Sequence, residues 1–96
     1  MLDPDKYQTI IDTLSPFKPS KIGIFGSYAR NENRPDSDLD ILFSLKIPIS
    51  LLQLVHIEQE LSELLGVKVD LVSDKAIKNP RLRKYIEADL KIIFKS

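Results

Sequence analysis

Apolar residues open the chain at helical spacing. Tyr7, Ile10, Ile11 and Leu14 share one face at about 100° per residue. Asp3-Pro4 ahead of them reads as a helix start, with aspartate as N-cap and proline in the first turn. Pro16 and Pro19 end that helix and make a short connector. The pattern then becomes short and apolar. Lys21 to Phe25 and Leu39 to Phe43 read as strands, and a short helix is expected between them. Pro48 interrupts. Ser50 then caps a long helix to about Leu65, in which Leu51, Leu54, Val55, Ile57, Leu61, Leu64 and Leu65 fall on one broad face. Gly66 is the expected stop. Val67 to Val72 reads as a third strand. Asn79-Pro80 opens a helix through Glu87, and Leu90 to Phe94 reads as the last strand. Strands alternating with helices predict an α/β (α+β) chain, with a small mixed sheet of about four strands covered by helices.

Ninety-six residues suit one small domain, expected over 1–96, with a modest core. An enzyme of this size would take part of its site or its substrate from a partner. Fourteen basic residues balance fourteen acidic ones. That argues against a general nucleic-acid binder, which needs excess positive charge to displace counterions, but leaves a single nucleotide open. Without cysteine there are no disulfides and no thiolate zinc sites. Met1-Leu2-Asp3-Pro4-Asp5 lacks the apolar segment of a signal peptide. No apolar run approaches the roughly 20 residues that span a bilayer. The expectation is a soluble, cytoplasmic protein.

The stretch between the first two strands, Gly26-Ser27-Tyr28-Ala29-Arg30 through Ser37-Asp38-Leu39-Asp40, holds the candidate chemistry. Gly26 allows close backbone approach and unusual dihedrals. Amides at a helix start favour an anion. Ser27 adds a hydroxyl, and Arg30 a fork suited to phosphate oxygens. Alone, Gly26-Ser27 reads more readily as an ordinary turn, since Gly-Ser pairs mark many turns. At the other end, Asp38 and Asp40 point to one face of a strand, with Leu39, Ile41 and Phe43 on the other. Two carboxylates about 7 Å apart repel unless something positive lies between them. Magnesium suits such a pair, since it takes few carboxylates and keeps waters and substrate phosphates.

A third carboxylate, Asp70, interrupts the apolar segment Val69-Asp70-Leu71-Val72. Burial without a partner would cost free energy. If the third strand lies beside the second, Asp70 completes a three-carboxylate cluster, as metal ligand or as acceptor of a proton from an attacking hydroxyl. At a strand end or exposed edge it needs no such role. Together, a phosphate turn and three carboxylates are the equipment for two-metal attack on a phosphoryl group.

The motif Gly26-Ser27-Tyr28-Ala29-Arg30, a short spacer, Ser37-Asp38-Leu39-Asp40-Ile41, and a later Val69-Asp70-Leu71-Val72 resembles that of the minimal nucleotidyltransferases of the DNA polymerase beta superfamily. The resemblance spans almost the whole chain. It implies a palm-like nucleotidyltransferase fold and a magnesium-dependent protein adenylyltransferase that takes ATP as nucleotide donor. It further implies an antitoxin that moves AMP onto a tyrosine of a HEPN-domain ribonuclease toxin. Gly26 and Ser27 would bind the triphosphate with help from Arg30. Asp38 and Asp40 would hold magnesium, as two ions. Asp70 would be the third ligand or the general base. Many members have glycine after the arginine. Here it is Asn31, which tolerates a left-handed conformation better than most residues.

Two other readings stay open. One is a module that masks its toxin sterically. The other is a nucleotidyltransferase acting on a small molecule, which the absence of a substrate domain disfavours. His56, the one histidine, falls opposite the leucine face and reads as solvated. Glu58 projects near the apolar arc and reads as bordering it. Lys75, Lys78, Arg81, Arg83 and Lys84 read as a solvated helix face, or as a surface meeting an acidic partner or nucleotide phosphates.

Overall fold

A computed structural model describes residues 3–96. Met1 and Leu2, the first residues of the start considered above, lie outside the described residues. Helix α1 spans Pro4–Leu14, and the Asp3 carboxylate accepts from the Lys6 amide as its N-cap. A 3-10 turn, Ser15–Phe17, leads to Lys18, whose positive φ of 52° redirects the chain into β1, Pro19–Phe25. β1 therefore starts two residues before the expected Lys21, and Pro19 is its first residue, where a missing amide is tolerated.

The expected short helix after Gly26 is absent. Residues 26–31 form successive turns instead, because the positive φ of Gly26 (76°) and Asn31 (59°) brackets the segment with left-handed residues that a helix cannot contain. Strand β2 then runs Leu39–Leu45 and helix α2 Leu51–Leu65. Ser50 and Gln53 form a reciprocal capping box at the start of α2, and Gly66 (φ 72°) stops it. Strand β3, Val69–Ser73, is shorter than the expected Val67 start. A 3-10 turn, helix α3 (Pro80–Asp89) and strand β4 (Lys91–Lys95) complete the order.

The sheet has the order β3-β2-β1-β4, and only β2 and β3 run parallel. Its two faces carry separate apolar clusters. On one, Ile22, Ile24, Leu39, Ile41, Phe43, Val69 and Leu71 meet α1 through Ile10 and Leu14, and α2 through Ile57, Leu61 and Leu65. On the other, Phe25 and Leu42 meet Ile77 and Ile86 of the α3 region. This second cluster is small and leaves the sheet uncovered at one end. Among the described residues no helix is long and apolar enough to cross a membrane.

The broad leucine face of α2 is narrower than its spacing implies. Ile57, Leu61 and Leu65 are buried, but Leu51, Leu52, Val55 and Leu64 are exposed. The sheet is only four strands wide, so it can seat a stripe of about three turns and no more. Glu58 and Ser62 sit at the border of that stripe and serve the edge of the sheet. Glu58 Oε2 accepts from the Leu71 amide at 2.8 Å, and Ser62 Oγ from the Val69 amide at 3.0 Å. The outward amides of Val69 and Leu71 on the edge strand are thus satisfied by the helix and are not left as a pairing template.

Leu61→Ala is expected to cost about 2–5 kcal/mol of stability. Leu52→Ala, at an 80% exposed position of the same helix, should stay within about 0.5 kcal/mol. Urea unfolding of both variants checks this; equal losses would contradict the burial pattern.

Candidate active site

Three strands bring the candidate residues to one end of the sheet. Phe25, at the close of β1, pairs with Asp40 across the antiparallel ladder. Asp40 pairs with Asp70 across the parallel one. Phe25, Asp40 and Asp70 are therefore in register on three adjacent strands, and Gly26 follows Phe25 in the turn against Asp40. Alternation puts Asp40 and Asp70 on the face of Leu42 and Val72, the face that the α3 cluster covers only in part. Asp38 lies just ahead of β2, not within it, and its carboxylate meets Lys68 at 3.9 Å. That pair is exposed on both sides, so it is a weak tie that a stronger cation can replace.

Gly26 is buried and needs to be glycine for two reasons. Its φ is left-handed, and a Cβ there would collide with Asp40 Oδ2. The Asp40 carboxylate lies against the bare backbone of the turn, so the glycine turn and the aspartate end of the motif touch. The amides of Arg30, Asn31 and Glu32 close the turn onto the carbonyls of Gly26, Tyr28 and Ser27. Those of Ser27, Tyr28 and Ala29 find no acceptor among the described residues. Consecutive free amides in a turn make an anion-binding concavity, so the donors expected from a helix start come from a turn instead.

Electrostatics mark Asp40 apart. Half-burial, then the charges of Asp70 and Asp38, push its carboxyl up to about 6, with Arg30 opposing in part. Arg30 is not free. Its Nη1 donates to Asp89 Oδ2 at 2.6 Å, and its Nε lies 3.6 Å from Glu32. It ties the turn to the end of α3 while its field still reaches Asp40. Asp89, 59 residues away, carries no local sequence signal that could have identified it as a partner.

Of the basic run, Lys75, Lys78, Arg81 and Lys84 are exposed, as expected for a solvated face. Arg83 is not part of that face. It donates to the Asp74 carboxylate at 2.9 Å and to the backbone carbonyls of Asp74 and Ile77. Burial would raise the Asp74 carboxyl, but the Arg83 hydrogen bond and the charge of Lys21 outweigh it and hold it below its usual value. His56 is exposed on α2, away from the aspartates.

Among the described residues no three carboxylate or imidazole groups converge as a preformed metal cluster. Asp38 is turned to Lys68 and Asp70 is exposed. The donor chemistry still fits a hard dication. The site offers oxygen ligands only, one of them holding its charge unfavourably beside two others, and a cation between them would relieve that repulsion. A recess of about 320 Å³ lies at the opposite ends of β2 and β3, lined by Phe43, Lys46, Ile47, Leu51, Ser73 and Lys75. It contains none of the aspartates, whose shelf is open.

Residues 5–93 match the model of the nucleotidyltransferase domain. The chain belongs to that family. It is 53% identical over 74 residues to a chain of Methanocaldococcus jannaschii that carries the name of a protein adenylyltransferase, covering 77% of this chain and 76% of the relative. Two solved structures share the fold. One is a toxin–antitoxin pair with AMP-PNP (TM-score 0.83, 24% identity, 94% of this chain and 73% of the other). The second is an MNT antitoxin with the tri-AMPylated HEPN toxin of Shewanella oneidensis (TM-score 0.75, 22% identity, 95% and 71%). The nucleotidyltransferase fold and enzyme class expected from the motif are thus established.

In this nucleotidyltransferase the raised Asp40 carboxyl predicts a pH-dependent stability. Its folded value of about 6 lies above the ordinary 3.8. The folded state therefore holds the proton more tightly, and the contribution to stability, full below pH 4, is lost as pH rises through 6. Asp40→Asn should melt higher than wild type at pH 7.5, and the gap should close at pH 4. A gap independent of pH, read by thermal unfolding, would contradict this origin. Gly26→Ala should weaken binding of a non-hydrolysable ATP analogue by about tenfold or more, since strain at a left-handed position and displacement of Asp40 coincide. Calorimetric titration measures it.

Proposed function

We propose that the chain is a protein adenylyltransferase that moves AMP from ATP to a tyrosine hydroxyl of a HEPN-type partner in the cytoplasm, and so acts as the antitoxin of that pair. The observation that carries the proposal is the meeting of the Gly26 turn with Asp40, itself in register with the exposed Asp70, at one end of the sheet. A small-molecule acceptor needs an enclosing pocket. A shelf with Asp70 exposed suits a residue presented by another protein. The name carried by the relative at 53% identity and the antitoxin role of the structural neighbours support the same assignment.

The free amides of Ser27, Tyr28 and Ala29, with the Ser27 hydroxyl, hold the triphosphate. Asp38, Asp40 and Asp70 would hold magnesium, which supplies charge neutralisation of the phosphates when bound. The acceptor oxygen bonds to the α-phosphorus, the bond to the bridging oxygen breaks, and pyrophosphate leaves. The acceptor's proton passes to Asp70 when that carboxylate serves as base. Arg30 contributes positive field over Asp40 and the phosphates while anchored to Asp89.

Incubation with labelled ATP, magnesium and a HEPN-domain protein from the same organism tests the reading. Label should appear on a tyrosine of the partner. A chelator should abolish it, and Asp38→Asn with Asp40→Asn should reduce it about 100-fold or more. An unlabelled partner, or a double variant that labels it like wild type, would overturn the assignment. Protection of cells by that double variant would instead identify steric masking as the mechanism.

A further inference from the structure

Asp70 sits on β3, an edge strand with a neighbour on one side only. Its carboxylate is exposed, so its direction depends on how firmly the strand is held. The inner side is held by the ladder to β2, including the Leu39 amide donating to the Lys68 carbonyl at 2.8 Å. The outer side is held by two side chains of α2. Ser62 Oγ accepts from the Val69 amide at 3.0 Å and Glu58 Oε2 from the Leu71 amide at 2.8 Å. These amides belong to the residues immediately before and after Asp70. Ser62 Oγ also donates to the Glu58 carbonyl at 2.7 Å, so the two acceptors are linked on successive turns of one helix. We propose that Glu58, with Ser62, is a positioning residue for Asp70: the pair clamps the strand on both sides of the aspartate and fixes its carboxylate opposite Asp40.

Placement supports a positioning role beyond burial of an amide. Of the three outward amides of β3, those of Val69, Leu71 and Ser73, the side chains of α2 take the two that flank Asp70. A carboxylate at the margin of the core also carries a desolvation cost. The hydrogen bond accepted from the Leu71 amide offsets that cost and leaves no donor of the strand unpaired there. Glu58 lies on the opposite face of the strand from Asp70, with Leu71 and the α2 core, so it reaches no substrate and acts only through the backbone. The inference rests on Asp70 taking part in the reaction proposed above.

The test compares Glu58→Ala with Glu58→Gln, which keeps an acceptor oxygen without the charge. Three readouts are taken per folded molecule: kcat and KM for AMP transfer to the partner, Mn²⁺ affinity by electron paramagnetic resonance, and amide exchange at Leu71. Glu58→Ala should lower kcat about tenfold or more with KM for ATP within about twofold. It should also weaken Mn²⁺ binding and speed Leu71 exchange, each about tenfold. Glu58→Gln should restore most of all three. Wild-type kcat and Mn²⁺ affinity in Glu58→Ala would overturn the proposal and leave Glu58 as an edge guard. Equal impairment in Glu58→Gln would overturn it too, by assigning the effect to lost charge. Failure of the reaction itself is told apart: if wild type transfers nothing, or Asp70→Asn transfers normally, the proposed reaction or the role of Asp70 falls, and Mn²⁺ affinity with Leu71 exchange alone decides whether Glu58 positions the strand.

Discussion

The parallel pairing of β2 with β3 sets Asp40 directly beside Asp70, and the molecule is arranged around that repulsion. Like charges on neighbouring strands destabilise a sheet. Here burial removes the water that would soften the repulsion at Asp40. Gly26 adds to the constraint by giving the carboxylate a backbone wall to lie against, with no side chain in between. A site held at such a cost is poised to gain from a cation, because every charge neutralised there relieves strain already present.

The remaining charges work to hold the half-covered face together. Arg83 binds Asp74 and two backbone carbonyls, joining the start of α3 to the end of β3, and Lys21 of β1 meets the same aspartate at 3.5 Å. Arg30 joins the turn after β1 to the end of α3 through Asp89. One clamp lies at each end of α3, over a cluster of only a few buried residues. Exposed ion pairs add little to stability, but here the burial of Asp74 and the multiple acceptors of Arg83 make the first clamp more than a surface pair. The zero net charge therefore conceals a segregated arrangement: most of these cations tie α3 down, and the acidic end of the sheet is offset only by the exposed Lys68 and by the field of Arg30.

Much of this was legible from residue order. Helix caps at Asp3, Ser50 and Asn79, the stop at Gly66 and the alternation around Asp40 are local features, and local features survive folding. The approach of Asp70 to Asp40 could be framed only as a condition, since strand order is not encoded in any single segment. Three things were not legible. The turn at 26–31 looked helical because propensity does not report that Gly26 and Asn31 both take positive φ. The apolar face of α2 looked broad because composition does not report how wide a sheet it meets. The partners of Arg30 and Glu58 lie 59 and 13 residues away, so no window of sequence contains both ends of either bond.

The two faces of the sheet divide the work. The α1–α2 face is sealed by the larger cluster, which supplies the stability that the other face gives up. On that other face, the small cluster of Phe25, Leu42, Ile77 and Ile86 reaches Asp40 through Phe25, which is paired opposite it, but leaves Asp70 exposed, so the carboxylates stand at the boundary between core and solvent. Deeper burial would raise the Asp40 carboxyl further and keep it protonated, without charge for a cation. Full exposure would remove the electrostatic advantage that a low-dielectric wall gives. In the reaction proposed above, this intermediate position is completed by the surface that the acceptor brings to the shelf. That requirement is the physical reason the proposal takes a protein acceptor over a diffusible one.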